Sequence, residues 1–168
     1  MSENMMMSDV RPVSLDDAEA ICRIYNHYVV TTAISFEESE VGLAEMSDRI
    51  AEVTQNFPWL ILERDGAMLG YAYATKWRAR SAYRFSAEVS VYLSPEAHGQ
   101  GAGTILYGAL LSQLAKQGVH TAIGGIALPN EASVHLHKKC GFKQVAQFAQ
   151  VGFKHGRWID VAYWQKQL

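Results

Sequence analysis

Glu96-Ala97-His98-Gly99-Gln100-Gly101-Ala102-Gly103-Thr104 falls between an alternating apolar run, Phe85–Leu93, and a segment in which Leu106, Leu110 and Leu114 recur every four residues. A glycine-rich turn therefore joins a strand to a buried helix. Glycines let backbone N–H groups turn inward with no Cβ in the way, and the helix start adds unsatisfied donors and partial positive charge. That surface suits a diphosphate; a tight structural turn is the other reading of the same glycines. A Walker loop is excluded, because no lysine follows the glycines. A dinucleotide-binding turn needs a third glycine one place later and an acidic residue about 20 positions on. Here no Asp or Glu occurs from Ala97 to Asn130, in a chain with 17 carboxylates. The stretch points to a phosphate site of neither common kind.

Upstream, Phe85–Leu93 places Ala87, Val89, Val91 and Leu93 on one face and Ser86, Glu88, Ser90 and Tyr92 on the other. Trp59–Glu63 and Met68–Lys76 read as a hairpin turning at Asp65-Gly66. Val10–Val13 reads as a first strand, with Ser14, Asp16 and Asp17 suited to the start of the helix carrying Ala18, Ile21, Cys22, Tyr25 and Val29. A second amphipathic helix fits Gly42–Asn56. Downstream, the Leu106 helix ends near Gly118, Thr121–Leu128 is a strand, and Glu131–Cys140 is a helix stopped by Gly141. Two last strands, near Val145–Val151 and Trp158–Gln165, join through Lys154-His155-Gly156. Strands and helices alternate in the middle and hairpins lie at both ends, which predicts a mixed α/β sheet.

The 168 residues suit one domain over 10–168, preceded by a flexible polar segment, 1–9. Apolar residues make up 49% and the formal net charge is −2, which gives no general pull toward nucleic acid or an anionic membrane. No apolar run reaches the roughly 20 residues of a membrane helix. The N-terminal segment lacks the pattern of a secretory signal, so a cytoplasmic location is expected. Cys22 and Cys140, the only cysteines, are expected as reduced, buried thiols, and no His or Cys cluster has zinc-ligand spacing.

The glycine segment resembles the signature of the GCN5-related N-acetyltransferase superfamily, Arg/Gln-x-x-Gly-x-Gly/Ala, with His98 in the place of Arg or Gln. Asn130, Ala132, Ser133 and His137-Lys138-Lys139-Cys140-Gly141-Phe142 resemble its second signature, with His137 where tyrosine is usual. Asn26-His27-Tyr28, Phe57-Pro58-Trp59, Ala79-Arg80-Ser81-Ala82-Tyr83, Ala87-Glu88 and Val91-Tyr92-Leu93-Ser94-Pro95 are similar to the phosphinothricin acetyltransferase branch. So are Leu128-Pro129-Asn130 and Gly152-Phe153-Lys154-His155-Gly156 with Trp158, Asp160 and Trp164. The likeness runs from about residue 10 to the end. It implies the acyl-CoA N-acyltransferase fold, a mixed, mostly antiparallel central sheet flanked by helices. It also implies acetyl-CoA as co-substrate, no metal, and a small-molecule amine as acceptor. That acceptor would be the α-amino group of phosphinothricin, methionine sulfoximine or sulfone, or arsinothricin. A homodimer joined through the C-terminal strands is implied as well.

Aminolysis of a thioester needs a deprotonated amine, a stabilised oxyanion and a proton for the thiolate. Glu88, on the polar face of the strand entering the loop, is the candidate base; its other reading is a structural carboxylate paired with Arg78, Arg80 or Arg84. A backbone N–H near Val91-Tyr92 is the expected oxyanion donor. The resemblance puts His137 where a tyrosine protonates the thiolate, and an imidazole can do the same; alternatively it packs on pantetheine or caps the helix. His135, about 200° around the helix, is expected to point elsewhere. The expected cofactor wall is Val91, Tyr92, Leu93, His98, Gly99, Gln100, Gly101, Ala102, Gly103 and Thr104, with Asn130 and Ser133. Asn130 suits a pantetheine amide and a helix cap equally. For the acceptor, Lys76, Arg78, Arg80 and Tyr83 offer cations and an aromatic ring for carboxylate and phosphinate, and Phe36 with Thr31 and Thr32 is expected to close that side. Lys154-His155-Gly156-Arg157-Trp158 is a second basic-aromatic cluster. A protein or peptide acetyltransferase and a non-catalytic acyl-CoA sensor are the alternatives.

Overall fold

The alternation along Phe85–Leu93 becomes the central strand of a sheet packed on both faces. In order, the elements are β1 (Asp9–Pro12), α1 (Ala18–Thr31), α2 (Leu43–Val53), β2 (Trp59–Arg64), β3 (Ala67–Lys76), β4 (Ser86–Leu93) and α3 (Ala102–Lys116). Then come β5 (Thr121–Ala127), α4 (Glu131–Lys139), β6 (Lys143–Lys154) and β7 (Arg157–Gln167). This computed structural model describes residues 9–168. The flexible segment expected over 1–9 falls outside the described residues except Asp9, which belongs to β1 opposite Glu63. No helix of the described residues is long and apolar enough to cross a membrane.

The seven strands lie in the order β1-β2-β3-β4-β5-β7-β6. Among the described residues only β4 and β5 run parallel; the other neighbouring pairs are antiparallel. Ala87 and Val89 face α3, whose Leu106, Leu110 and Leu114 are fully buried with Phe142 and Trp164. The opposite face is covered by α1 and α2, where Ile21, Tyr25, Tyr28, Met46 and Ile50 enclose Trp59, Ile61 and Tyr71. Tyr92 packs against this second core, so the face of β4 read as polar is covered by helices.

Two hairpins turn where positive φ is required, at Asp65-Gly66 (52° and 77°) and His155-Gly156 (50° and 73°). β6 is longer than expected. Its register shifts between Gln144 and Ala146 and between Phe148 and Gly152, and such bulges break the period-2 pattern from which strand ends are read. Cys22 is buried and Cys140 only partly so, and both are free thiols.

Candidate functional site

The parallel β4–β5 pairing covers only Ser86–Glu88 against Thr121–Ile123. Beyond Glu88 the strands part, leaving Val89–Leu93 without a β5 partner and the β4 edge open. A cleft of about 440 Å³ enters at this parting. Val91, Tyr92 and Leu93 form one wall; His98, Gly99 and Gly101–Thr104 form its head; Asn130, Ser133, His135 and Leu136 close the far side.

The head is built from backbone. Gly99 and Gly101 both have φ of 77°, a conformation that L side chains rarely adopt. Gly101 caps α3 without any side-chain hydrogen bond, so the first-turn N–H donors of a 15-residue helix are left for a ligand. This donor set fits the pyrophosphate of acetyl-CoA. His98 is fixed by Tyr28, which donates to the Leu93 carbonyl and lies 3.0 Å from His98 Nε2. The single hydroxyl proton is committed to Leu93, so His98 is the donor in that second bond. At the far side Asn130 Oδ1 accepts the Ser133 N–H at 3.1 Å, which realises the cap and leaves the Asn130 amide N–H groups for a ligand.

Three expectations for the cleft are corrected. The Gln100 side chain turns away, accepting from Arg64 at 2.9 Å and donating to the Glu96 carbonyl at 2.9 Å. His137 is 3% exposed and lies inside the core against Tyr107, Phe142 and Trp164. Its Nδ1 sits 2.7 Å from the Ser133 carbonyl, which can only accept, so Nδ1 holds the proton. Nε2 then accepts from Tyr107 at 3.1 Å, and burial pushes the imidazole pKa down. A neutral ring with both nitrogens occupied has no proton to give in the cleft. The histidine of α4 that does line the cleft is His135, which the helical wheel turns away from it.

Glu88 occupies the apex of the parting, opposite Thr75 of β3 and at the last residue paired with β5. Among the described residues it makes no ion pair, and of Arg78, Arg80 and Arg84 only Arg78 acts on it, through its nearby charge. Arg84 instead donates to the Ser81 carbonyl and covers the Phe85 ring. Burial raises the Glu88 pKa above the ordinary glutamate value, opposed by the nearby charge of Arg78.

On the α1–α2 face, beside Glu88, lies a second cavity of about 500 Å³ lined by Tyr25, Arg49, Trp59, Tyr71, Tyr73, Thr75 and Lys76, among others. Because Thr75 pairs directly with Glu88, this cavity and the carboxylate share a sheet face. Of the expected acceptor residues, only Lys76 lines it. Arg78 is exposed and stacks on Trp77 at 5.0 Å, Arg80 is exposed, and Tyr83 and Phe36 are 42% and 43% exposed. The hydroxyls of Thr31 and Thr32 donate to the carbonyls of His27 and Tyr28, finishing α1. Lys154 is buried within its own chain. Sequence reasoning missed Arg49, Tyr25 and Tyr73. Arg49 binds Glu37 through two bonds of 3.0 and 2.6 Å, and Tyr25 also donates to Glu37. Among the described residues no group of three or more His, Cys, Asp or Glu could hold a metal ion.

A sheet parted at its centre, with a diphosphate-binding helix start beside the gap, defines an acyl-CoA-dependent acyltransferase. The Acetyltransferase (GNAT) domain profile matches residues 10–163, and the chain belongs to that family. It is 46% identical over 161 residues to a phosphinothricin N-acetyltransferase of Alcaligenes faecalis, covering 95% of this chain and 82% of that one. It is 38% identical over 156 residues to the L-methionine sulfoximine/L-methionine sulfone acetyltransferase of Salmonella typhimurium, covering 90% of each. The structure of a phosphinothricin acetyltransferase from Sinorhizobium meliloti in complex with acetyl-CoA superposes with a TM-score of 0.93 at 37% identity, covering 97% of this chain and 89% of that one. The protein is an N-acetyltransferase that uses acetyl-CoA.

Proposed function

We propose that this single catalytic domain acetylates the α-amino group of a small amino-acid analogue, of the phosphinothricin, methionine sulfoximine or sulfone, or arsinothricin type, and thereby detoxifies it. One observation carries the reading: Glu88, a half-buried carboxylate with no ion pair among the described residues, sits where the β4–β5 pairing ends beside the cofactor cleft and shares a sheet face with a separate cavity large enough for an amino acid, though its side chain lines neither. When bound, acetyl-CoA supplies the activated acyl group. Glu88 accepts the proton that an α-ammonium must lose, directly or through water, and its raised pKa makes it a better base than an exposed glutamate. The open β4 edge orients the acyl carbonyl through the Val91–Tyr92 backbone. Lys76, in the wall of that cavity, holds the acceptor's carboxylate, while Arg78, Arg80, Tyr83 and Phe36 lie outside the wall and meet the acceptor only at its border.

The reading extends to a cytoplasmic homodimer. Two free thiols accord with a reducing compartment. Val145, Phe148, Val151, Phe153 and Trp158 on the β6–β7 hairpin are each more than half exposed, an apolar face suited to a twofold contact with a second copy. Light scattering after size exclusion is expected to give twice the chain mass, and Val151→Lys with Trp158→Lys to give the monomer.

The deciding assay compares kcat/KM for phosphinothricin, methionine sulfoximine, methionine sulfone and arsinothricin with that for a peptide N-terminus. The analogues are expected to lead. A peptide that outruns them means a protein acetyltransferase, and acetyl-CoA binding without any turnover means a sensor.

A further inference from the structure

The β6–β7 hairpin lies at the sheet edge farthest from β1, yet its tip is tied to the end of α1. Lys154 Nζ donates to the carbonyls of Val29 at 2.7 Å and Ser35 at 2.6 Å. The residue is 2% exposed, and a buried ammonium persists only where acceptors and opposite charge meet it. Glu37 and Glu38 supply that charge. His155 Nε2 adds a contact of 3.3 Å to the Thr32 carbonyl. Two residues before Lys154, Gly152 has no side chain because the Phe36 ring lies on its backbone: a Cβ there would stand 2.5 Å from both Cε2 and Cζ. The bulge between Phe148 and Gly152 bends the strand toward this contact, and Asp160 braces it by accepting the Gln150 N–H at 2.8 Å.

The segment so gripped, Ser35–Glu37, stands between the two cavities. Its neighbour Ile34 lines the cofactor cleft. Glu37 is bound by Tyr25 and Arg49, both in the wall of the other cavity. Ser35 also bonds Tyr25 at 2.9 Å, and Asn26 holds Val41 through its N–H and its carbonyl at 2.8 and 2.9 Å. From α1 and α2 the loop is therefore anchored on one side only; Lys154 and Gly152 are its anchors on the other.

We propose that the hairpin tip is a latch for the acceptor site: Lys154 is a positioning residue, and the absent side chain at Gly152 sets the place of Phe36 and with it the loop that carries Glu37 to Tyr25 and Arg49 in the cavity wall. This rests on the amino-acid acceptor reading. The latch orders the wall that meets the acceptor; it reaches the cofactor cleft only at its Ile34 border and touches none of the residues that grip the pyrophosphate, so its main effect falls on the acceptor.

Hydrogen exchange and steady-state kinetics on the whole enzyme test it together. Lys154→Met is expected to speed exchange of the amides of residues 32–41 by about tenfold or more while those of α3 stay protected. It is also expected to raise the KM for the amino-acid acceptor by about tenfold and to leave that for acetyl-CoA within about twofold. Gly152→Ala is expected to raise the acceptor KM by about fivefold, and adding Phe36→Leu to restore most of it, a non-additive pair. Unchanged exchange in the loop, or an additive Gly152–Phe36 pair, overturns the latch. So does an equal rise in both KM values. If the wild type acetylates no amino acid, the acceptor reading fails, and the exchange measurement still decides the latch by itself.

Discussion

The two sides of β4 are built on different principles. The cofactor cleft is made of backbone: an open strand edge, two glycines at positive φ and the bare start of α3. Nearly all of it comes from Val91–Thr104 and Asn130–Leu136. The proposed acceptor side is made of side chains from α1, α2, β2 and β3; the loop beside it is held by Lys154 of β6 through the Val29 and Ser35 carbonyls, and its Glu37 is bound by Tyr25 and Arg49. Backbone donors bind a ligand common to many enzymes, whereas a side-chain wall can be recast to suit one acceptor. The two sides meet at Glu88, and each should fail in its own way when altered.

The largest effect is expected where they meet. Glu88→Gln removes the proposed base and leaves both walls standing, so kcat/KM should fall by about 10²- to 10⁴-fold with the acetyl-CoA KM almost unmoved. The pH profile sharpens this. In the proposed mechanism Glu88 acts as carboxylate, and burial raises its pKa, so wild-type kcat/KM should climb with pH on a limb above the ordinary glutamate range. That limb should vanish in Glu88→Gln. Turnover preserved in the variant, or a flat wild-type profile from about pH 6 to 9, breaks the proton-transfer account.

Next in size is a change confined to the cofactor side. A Cβ at Gly101 meets nothing within 4 Å, so Gly101→Ala perturbs only the backbone, forcing φ of 77° on an L-residue. The cost of about 1–2 kcal/mol should raise the acetyl-CoA KM about five- to thirtyfold. Selectivity among acceptors should stay as it was. A shift in acceptor preference would mean that the two sides are not separable.

How far the sequence reveals each side follows from the same contrast. The glycine loop is local, and its chemistry can be argued from nine consecutive residues and the absence of acidic neighbours. The alternation of β4 likewise places Glu88 and Ala87 on opposite faces. Gln100 fails the reading because its partner Arg64 is 36 residues away in sequence. His137 fails it because a helical wheel shows direction around α4 but not which side faces the core; Tyr107 and Phe142, which surround the ring, belong to other elements. Arg49 carries no local signal at all. On α2 it reads as one more solvated charge, and only the fold brings it to Glu37. The bulges of β6 hide the bend that brings Lys154 to α1.

The position of His137 yields a smaller and different kind of effect. His137→Phe leaves the Tyr107 hydroxyl without its partner inside the core, which should cost about 1–3 kcal/mol of stability in a denaturant titration. Turnover per folded molecule should change by less than about threefold, because nothing the ring donates reaches the cleft. Were His137 the acid after all, kcat would drop by about 10²-fold or more with little change in stability. His135→Ala, on the cleft wall, should instead touch the acetyl-CoA KM and spare the fold.

The smallest effect tests the acceptor wall at its most exposed link. Arg49 and Glu37 form a bidentate pair that is about one-third exposed on each side, 36% and 35%, so solvent screens it and its contribution is about 0.5–1 kcal/mol. Arg49→Met should therefore raise the acceptor KM only about two- to fivefold, through a loosened Glu37, with acetyl-CoA unaffected. The pH dependence of stability gives the sign. Hydrogen bonding from Arg49 lowers the Glu37 pKa in the fold, so the pair stabilises the protein above the ordinary glutamate pKa and is lost as pH falls through the depressed value. Wild type should exceed Arg49→Met in stability near neutral pH, and the two should converge in acid below that value. A difference that persists there would assign Arg49 to packing over the cavity, and the side-chain wall would owe its shape to contact instead of charge.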